Sequence, residues 1–410
     1  MPKSSSAAAH PAISRLPLFL FEALGSLACG FYGNYIFFLF RDRHGFGDFG
    51  NLGVASLMGL VTALASWQGG RFAQKQGCYR AMFLGLAGLI AALAVGGMFR
   101  QLPVQLAVLI VWTASQFIIW PALEALVTET GGHLSRARTV GIYSVVWAAC
   151  SALAYFFGGS IFAKLGSNSI FWLPPALHVA QIAILWAYSR RVRYLPAHEP
   201  APGVMETPIP VRVTGSLSPR LFQRMAWFAN PFACIAAFAL LAMIPELARR
   251  MGLGTEVAGW ICSIWFFARL AAFVVLWKWA GWHYRFSCLL GGYLALMAGF
   301  VLILTADGVW SLAGGQILFG LAVGILYYAS LFYSMDVGEA RAENGGIHEA
   351  VMGAGSFVGP GVAALSLVAA PHSPYAGVWA VSALLALGLT GLVGFRFRSR
   401  DSVVGFQAER

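Results

Sequence analysis

The chain is 410 residues long, 59% of them hydrophobic and only 10% charged, and its formal net charge is +11. Soluble globular domains carry about 25% charged residues, so a water-soluble globule is excluded and the composition indicates an integral membrane protein. The basic excess does not indicate nucleic-acid binding, because the cations sit in short segments between apolar runs rather than on a polar domain.

Twelve apolar runs follow one another along the chain, each long enough for a transmembrane helix. A hydrocarbon core of about 30 Å needs about 20 residues in helical conformation. The first run continues to Phe40, which is too long for the apolar core of a signal peptide, so we interpret it as a retained first helix. The predicted spans are 17–40, 51–69, 81–99, 103–127, 139–163, 170–189, 221–245, 257–279, 284–305, 309–335, 345–370 and 376–395.

One long hydrophilic interval, Arg190 to Arg220, is rich in proline and arginine and divides the spans into two sets of six. With the N-terminus inside, 20 of the 27 Lys and Arg residues lie in inner segments and six in outer segments. Cations are enriched in cytoplasmic loops, so both termini are predicted to be cytoplasmic, in the plasma (inner) membrane. The predicted N-tail, first bundle, linker, second bundle and C-tail are 1–16, 17–189, 190–220, 221–395 and 396–410.

A weak internal repeat relates the two sets of helices. A shift of 205 residues, half the chain, places RARTVGI (Arg136–Ile142) on RAENGGI (Arg341–Ile347), and identities continue into the apolar run that follows. The fifth predicted helix therefore corresponds to the eleventh. Two parallel six-helix repeats are typical of one transporter architecture, in which the substrate site lies between the halves near the midplane.

The polar loop between the second and third predicted helices, GGRFAQKQGCYR (Gly69–Arg80), carries regularly spaced glycines and cations. With the twelve helices, the two halves and the basic linker, it resembles the major facilitator superfamily, whose loop here is similar to Gly-x-x-x-Asp-Arg/Lys-x-Gly-x-x-Arg/Lys. Gln74 stands where the family has an acid. The positions that match in register are Gly70, Lys75, Gly77 and Arg80. The resemblance implies an all-α membrane protein of two pseudo-symmetric six-helix bundles.

Two further features bear on this resemblance. The family's glycine-proline run is present on the eleventh helix, whereas the fifth helix, where exporters usually carry it, lacks the Gly-Pro. Many members have an arginine twelve residues before the proline that matches Pro121, and here that position is Leu109. We therefore expect no ion pair between a loop acid at position 74 and a helix arginine at position 109. The inner gate is instead expected to be held by glycine packing, the Gln74 amide and Glu124 with loop cations. The residues of the run, predicted to pack helices closely, are Gly346, Gly355, Gly359 and Pro360.

Ionisable residues inside predicted spans are functional candidates, because each costs at least about 2.5–3.5 kcal/mol at the bilayer centre. Glu22 lies near the inner end of the first helix, where burial favours the protonated form of a proton carrier; alternatively it reaches inner-face water or pairs with a cation. His348 and Glu349 are adjacent on the eleventh helix, so at most one faces a cavity squarely. Glu349 is either a proton or substrate site or an ion-pair partner near the gate. We assign proton coupling to Glu22, Glu349 and His348.

Arg269 is the deepest predicted cation, near the middle of the eighth helix, and must face the bundle interior or water. It could bind an anionic or hydroxylated solute, or form a structural or coupling pair with an acid such as Glu349. Glu124, near the inner end of the fourth helix, is predicted to take part in inner-gate salt bridges. His178 is interpreted as an interior histidine whose hydrogen bonds are satisfied.

Neutral polar side chains and aromatic rings collect at the depth of the expected cavity. Tyr and Trp offer an apolar face and one hydrogen-bonding tip, which suits a neutral polar or amphiphilic solute such as a sugar, a nucleoside or an aromatic metabolite. The alternative for each ring is a lipid-facing belt or helix packing. The substrate-binding candidates are Asn34, Tyr35, Gln116, Trp120, Gln181, Trp227, Asn230, Trp265, Arg269, Tyr327 and Tyr328.

No catalytic constellation, metal-ligand spacing or nucleotide-binding loop is recognisable, so an enzyme and ATP-driven transport are unsupported. The predicted function is a secondary transporter that takes up a small organic solute with protons by alternating access. It is expected to act as a monomer in the lipid bilayer, with no cofactor and no nucleic-acid partner. Two alternatives stay open: an exporter of drugs or amphiphiles, including a lipid flippase, and a non-transporting sensor with a transporter fold.

Overall fold

The computed structural model describes residues 14–129, 136–193, 218–337 and 342–408, and the regular structure in these ranges is helical. Twelve spans are long and apolar enough to cross a membrane, which confirms the predicted fold class. The helices are α1 (Leu16–His44), α2 (Asp48–Gln76), α3 (Cys78–Met98), α4 (Leu102–Glu129), α5 (Arg136–Leu165), α6 (Ser169–Arg193), α7 (Pro219–Arg250), α8 in two segments (Thr255–Cys262 and Ile264–Lys278), α9 (Phe286–Leu304), α10 (Val309–Val337), α11 (Ala342–Ala369) and α12 (Ala376–Ala408).

The helices extend beyond the predicted apolar runs, most of all at the C-terminus. The run predicted to end at residue 395 belongs to a helix that continues to Ala408, because a cation marks the edge of the hydrocarbon core and not the end of a helix. Most of the predicted linker and N-terminal tail, residues 194–217 and 1–13, lie outside the described residues.

Local sequence explains where several helices begin and end. Gly45 ends α1 at a φ of 69°, and Gly77 ends α2 at a φ of 94°, values that L side chains rarely adopt. At the start of α7, the Ser218 hydroxyl oxygen accepts a hydrogen bond from the Leu221 amide at 3.3 Å. Pro219 follows at the first helical position, where its missing N–H is harmless.

The helix bounds reproduce the repeat seen in the sequence. Moved along by 205 residues, α5 would occupy 341–370, and α11 is found at Ala342–Ala369. Moved in the same way, α1 would occupy 221–249, and α7 is found at Pro219–Arg250. The chain therefore consists of two halves, α1–α6 and α7–α12, and these two pairs of helices match in position.

Two helix pairs make the most extensive contact between the halves. With twelve spans, α1 begins and α12 ends on the same membrane face, which we call the terminal face; the other is the opposite face. In the α2–α11 seam, the Ser56 hydroxyl donates a hydrogen bond to the Phe357 carbonyl at 2.9 Å. In the α5–α8 seam, the rings of Trp147 and Phe273 lie 6.0 Å apart.

Candidate functional site

A cavity of about 220 Å³ lies between the two halves. It is lined from both, by α1, α2, α4 and α5 on one side and α7, α8, α10 and α11 on the other. Its wall combines aromatic rings with a few amides and ionisable groups. The polar and ionisable lining residues are Ser26, Asn34, Thr62, Gln116, Glu124, Tyr143, Ser151, Asn230, Arg269, Tyr327, Glu349 and Ser356.

Helical periodicity explains how single helices supply several lining residues. On α5, Tyr143, Trp147 and Ser151 all face the cavity at intervals of four residues, which is the spacing of one helix face. On α1, Ser26 and Gly33 line the cavity at an interval of seven. One narrow stripe of each helix therefore faces the cavity.

The structure brings nine of the sequence-predicted residues to this cavity. The Asn34 side-chain nitrogen donates to the Gly30 carbonyl at 2.6 Å. The Asn230 nitrogen lies 3.1 Å from the Met352 sulfur, while the Asn230 side-chain oxygen has no partner among the described residues. The nine residues are Asn34, Gln116, Trp120, Glu124, Asn230, Trp265, Arg269, Tyr327 and Glu349.

Other predicted residues lie away from the lining of the central cavity. Tyr35 is fully buried and donates its hydroxyl to the Tyr155 carbonyl at 2.5 Å. Tyr328 packs among the rings of α8 and its neighbours. Trp227 is 42% exposed. The centre of the His348 ring lies 6.4 Å from that of Trp227 and 6.5 Å from that of Tyr327. These aromatic residues serve helix packing or the outer surface in this arrangement.

Glu22 lies beside the central cavity rather than in its wall. It is 1% exposed and accepts a hydrogen bond from Ser26 at 2.6 Å and another from Tyr143, two residues that do line the cavity. It also borders a neighbouring space of about 10 Å³ lined by α1, α3, α4 and α6. A space of this size holds about one water molecule. Glu22 is thus one side chain removed from the cavity.

The same small space contains two more predicted residues. Gln181 donates to the Phe21 carbonyl at 2.8 Å, which directs its oxygen toward His178 Nδ1 at 2.7 Å. His178 Nδ1 therefore carries the hydrogen in the neutral ring. Its Nε2 is buried with no partner among the described residues, so only one of the two ring nitrogens is satisfied.

Arg269 is the buried cation of the cavity wall, with 7% of its surface exposed. Its guanidinium carbon lies 4.4 Å from the ring centre of Trp147, 5.0 Å from Phe266 and 5.5 Å from Trp265. Among the described residues it forms no ion pair, and its Nε has no hydrogen-bond acceptor. The pairing with Glu349 considered from the sequence is not present in this arrangement.

Two carboxyl groups from opposite halves line the part of the cavity nearest the terminal face. Glu124 belongs to α4 and Glu349 to α11, and the two repel each other when both are charged. Tyr143 and Tyr327 line the cavity with them. Within the described ranges, no group of three or more His, Cys, Asp and Glu side chains is placed to hold a metal ion.

The loop motif at the end of α2 shows glycine packing and no hydrogen bond from Gln74. Gly70 lies against Gly346 of α11: a Cβ added to Gly346 would be 3.0 Å from the Gly70 Cα. Gln74 is exposed and makes no side-chain hydrogen bond with the described residues, so the gate role of its amide stays a prediction.

Leu109 is fully buried in the core. Arg80 bonds to Gln76 at 3.3 Å, and the Lys75 side chain is exposed.

The predicted glycine-proline run lies on the inner side of α11. A Cβ on Gly359 would be 2.5 Å from the Ile235 carbonyl oxygen, and one on Gly355 would meet the Pro231 carbonyl, so both glycines lie against the backbone of α7. Pro360 sits inside α11 without ending it.

Sequence reasoning missed several residues of the cavity wall. Trp147 and Tyr143 of α5 are the most consequential, since they contact Arg269 and Glu22 respectively. Their four-residue spacing with Ser151 was a readable signal of a shared helix face. Cys29 and Cys234, which were not among the sequence-predicted candidates, also line the cavity.

Comparisons with known proteins agree with this architecture. The model of the Major Facilitator Superfamily matches residues 18–360. The crystal structure of a mutant of the nucleoside transporter NupG is similar, with a TM-score of 0.69 at 11% identity, covering 93% of this chain and 99% of that one. The human organic anion transporter MFSD10 (TETRAN) is similar with a TM-score of 0.64 at 17% identity, covering 92% and 98%. A search of curated proteins found no match.

Proposed function

Because the chain belongs to the major facilitator superfamily, we propose that it takes up a small organic solute together with protons by alternating access. One observation carries the proposal: a cavity lined by both halves combines aromatic faces, amides and ionisable groups. A site shared by two rocking halves can open to one membrane face at a time. Bound solute contacts both halves, so its binding can favour one arrangement over another.

The size of the cavity favours a small metabolite over a drug-sized one. Pockets for drug-sized ligands measure about 300–1,000 Å³, whereas this cavity measures about 220 Å³. Trp112, Trp120 and Phe117 offer ring faces for stacking, and Asn230 and Gln116 offer side-chain oxygens with no partner among the described residues. A sugar, a nucleoside or an aromatic metabolite fits this mixture better than a large amphiphile does.

The two carboxyl groups of the cavity support proton coupling. When both are charged, Glu124 and Glu349 repel each other across the halves, and a proton on either removes that repulsion. Glu349 has no ion pair with a described cation. The groups that interact with it are Glu124 on α4, Tyr143 on α5, Cys234 on α7 and Tyr327 on α10. His348 precedes it on α11. We assign the coupling proton to Glu349, with Glu22 as a second carrier behind Tyr143.

Purified protein in proteoliposomes tests the proposal. Solutes from a panel of sugars, nucleosides and aromatic metabolites should accumulate uphill when a proton gradient is imposed. Glu349→Gln should abolish this accumulation but spare exchange of labelled for unlabelled solute, because exchange needs no net proton movement. Glu22→Gln is expected to act in the same direction. The matched control is Glu246→Gln, which removes a carboxylate paired with Arg249 on the same helix, outside the cavity.

Three outcomes would contradict the proposal at different points. Unchanged proton-driven uptake in Glu349→Gln would remove this residue from the coupling mechanism. Solute efflux driven by an imposed gradient, with no uptake, would identify an exporter. Saturable binding without flux in either direction would identify a sensor.

A further inference from the structure

Arg269 supplies an unfilled anion-binding group in the cavity wall. A guanidinium stays charged in proteins, and a buried charge without compensation is strongly unfavourable. Arg269 is 93% buried, since only 7% of its surface is exposed. Among the described residues it has neither an ion pair nor a hydrogen-bond acceptor for its Nε. The described residues therefore supply no negative charge to compensate this buried cation.

The aromatic rings around Arg269 stabilise its buried positive charge only in part. Trp147, Phe266 and Trp265 lie 4.4 to 5.5 Å from the guanidinium carbon, and their π faces attract the cation. The five N–H donors of a guanidinium lie in its own plane and point outward from its edge. A ring face is at most a weak acceptor for these donors, so a strong acceptor must approach the edge from the cavity.

We infer that the transported solute carries a carboxylate, which the edge of Arg269 binds, on a compact aromatic or heteroaromatic body. A carboxylate matches the guanidinium fork with two parallel hydrogen bonds. The rings of Trp112, Trp120 and Phe117 line the same cavity and can pack against the aromatic part of the solute. The inference rests on the proposed function for the role of the cavity, and it narrows the solute to an organic monoanion.

A carboxylate bound to Arg269 would lie where the two halves meet. Arg269 belongs to α8 in the second half, whereas the ring closest to its guanidinium, Trp147, belongs to α5 in the first half. A carboxylate bound at the edge of Arg269 would therefore lie at the α5–α8 seam. Neutral analogues would fill the cavity without engaging this charge.

The test uses the full chain in detergent and two matched pairs of probes: benzoate with benzamide, and indole-3-acetate with indole-3-acetamide. Binding to the native state raises the thermal-unfolding midpoint. The carboxylate of at least one pair should raise the midpoint at a concentration where its amide does not. In Arg269→Gln the affinity for that carboxylate should fall about 10–100-fold, as expected for losing a charge-assisted contact.

Two further variants separate anion binding from a structural role. Arg269→Lys keeps a charge but loses the fork, so it should retain the preference for carboxylate over amide with weaker affinity. Arg190→Gln removes an arginine that also stacks on a tryptophan, Trp186 at 4.1 Å, but lies outside the cavity lining. Its carboxylate affinity should equal that of the wild type.

Equal affinity for the acid and the amide in both pairs, or no binding of either carboxylate, would overturn the inference. So would an Arg269→Gln variant that folds and binds carboxylates as tightly as the wild type. These outcomes are separate from failure of the proposed function, because binding is measured without a membrane. Uphill uptake of neutral solutes alone would support proton-coupled transport and overturn the carboxylate assignment.

Discussion

The two seams that join the halves are built from different chemistry, and the α2–α11 seam is made of backbone. A Cβ added to Gly346 would lie 2.7 Å from the Ser66 carbonyl oxygen. One added to Gly353 would lie 2.5 Å from the Ala63 nitrogen and 2.8 Å from its Cα. Small residues allow two helices in lipid to approach closely, so this seam is set by shape.

The α5–α8 seam combines backbone packing with contacts between side chains. A Cβ added to Gly159 would lie 2.6 Å from the Thr255 carbonyl oxygen, so the two backbones meet near the opposite face, and side chains make further contacts. The rings of Phe156 and Trp260 lie 6.5 Å apart near the opposite face, and Trp147 meets Arg269 near the cavity. An ion pair joins Lys164 to Glu256 at 2.9 Å. Side-chain contacts of this kind re-form in new positions more readily than interlocked backbones do. We therefore expect α2 and α11 to keep the halves in register, and the side-chain contacts of the α5–α8 seam to respond to charge and to bound solute.

The largest effect is expected from filling the α2–α11 seam. Gly353→Leu would push a side chain into the Ala63 backbone, which cannot move aside as a flexible side chain does. Overpacking of this kind costs about 1–3 kcal/mol, so we expect a lower thermal-unfolding midpoint and loss of uptake. Gly53→Leu, on α2, is the control, because an added Cβ there meets no atom within 4 Å. Equal melting of the two variants would contradict a seam set by shape.

A smaller effect is expected from removing the ring that meets Arg269. Cation–π contacts contribute about 0.5–2 kcal/mol, so Trp147→Ala should reduce the initial rate of uptake by about 3–30-fold. Trp186→Ala removes an exposed tryptophan stacked on Arg190 and should leave that rate unchanged. Uptake by Trp147→Ala at the wild-type rate would show that the ring contact is dispensable.

The smallest effect is expected from the exposed ion pair of the α5–α8 seam. Lys164 is 69% exposed and Glu256 is 27% exposed, and exposed pairs contribute little and are screened by salt. Glu256→Gln should change the open-to-closed ratio at the opposite face by no more than about fivefold at low salt, because an exposed pair contributes at most about 1 kcal/mol. Spin-label distances across that face, at two ionic strengths, measure this ratio.

Two further variants serve as controls for the spin-label measurement: a charge swap of Lys164 and Glu256, and the loss of an ion pair within a single helix. Lys164→Glu combined with Glu256→Lys should restore the wild-type ratio, because the attraction returns with reversed polarity. Glu246→Gln breaks an ion pair with Arg249 inside α7, outside the α5–α8 seam. Because Glu246 also interacts with Asp48 of α2, any shift that it causes should be the same with and without the charge swap. A shift that persists unchanged at high salt would mean that the contact is not electrostatic.

The length of the apolar runs and the repeat were enough to predict twelve spans and two halves, because both follow from the bilayer thickness and from helical rise. Arg269 and Glu349 were found as cavity residues because a charge inside a span has few favourable positions. The sequence alone could not distinguish Tyr35 and Tyr328, which lie outside the cavity, from residues that line it. An aromatic side chain is stable in a cavity wall, in a core or at the lipid surface, and only the packing of neighbouring helices decides between them.

The cysteines of the cavity wall have a consequence for chemical labelling. Cys29 comes from the first half and Cys234 from the second, and both thiols are free. A small alkylating reagent that enters the cavity therefore meets one thiol in each half, while a bound solute would shield both. The rate at which each native thiol is modified would report, without any introduced cysteine, when the cavity is open and when it is occupied.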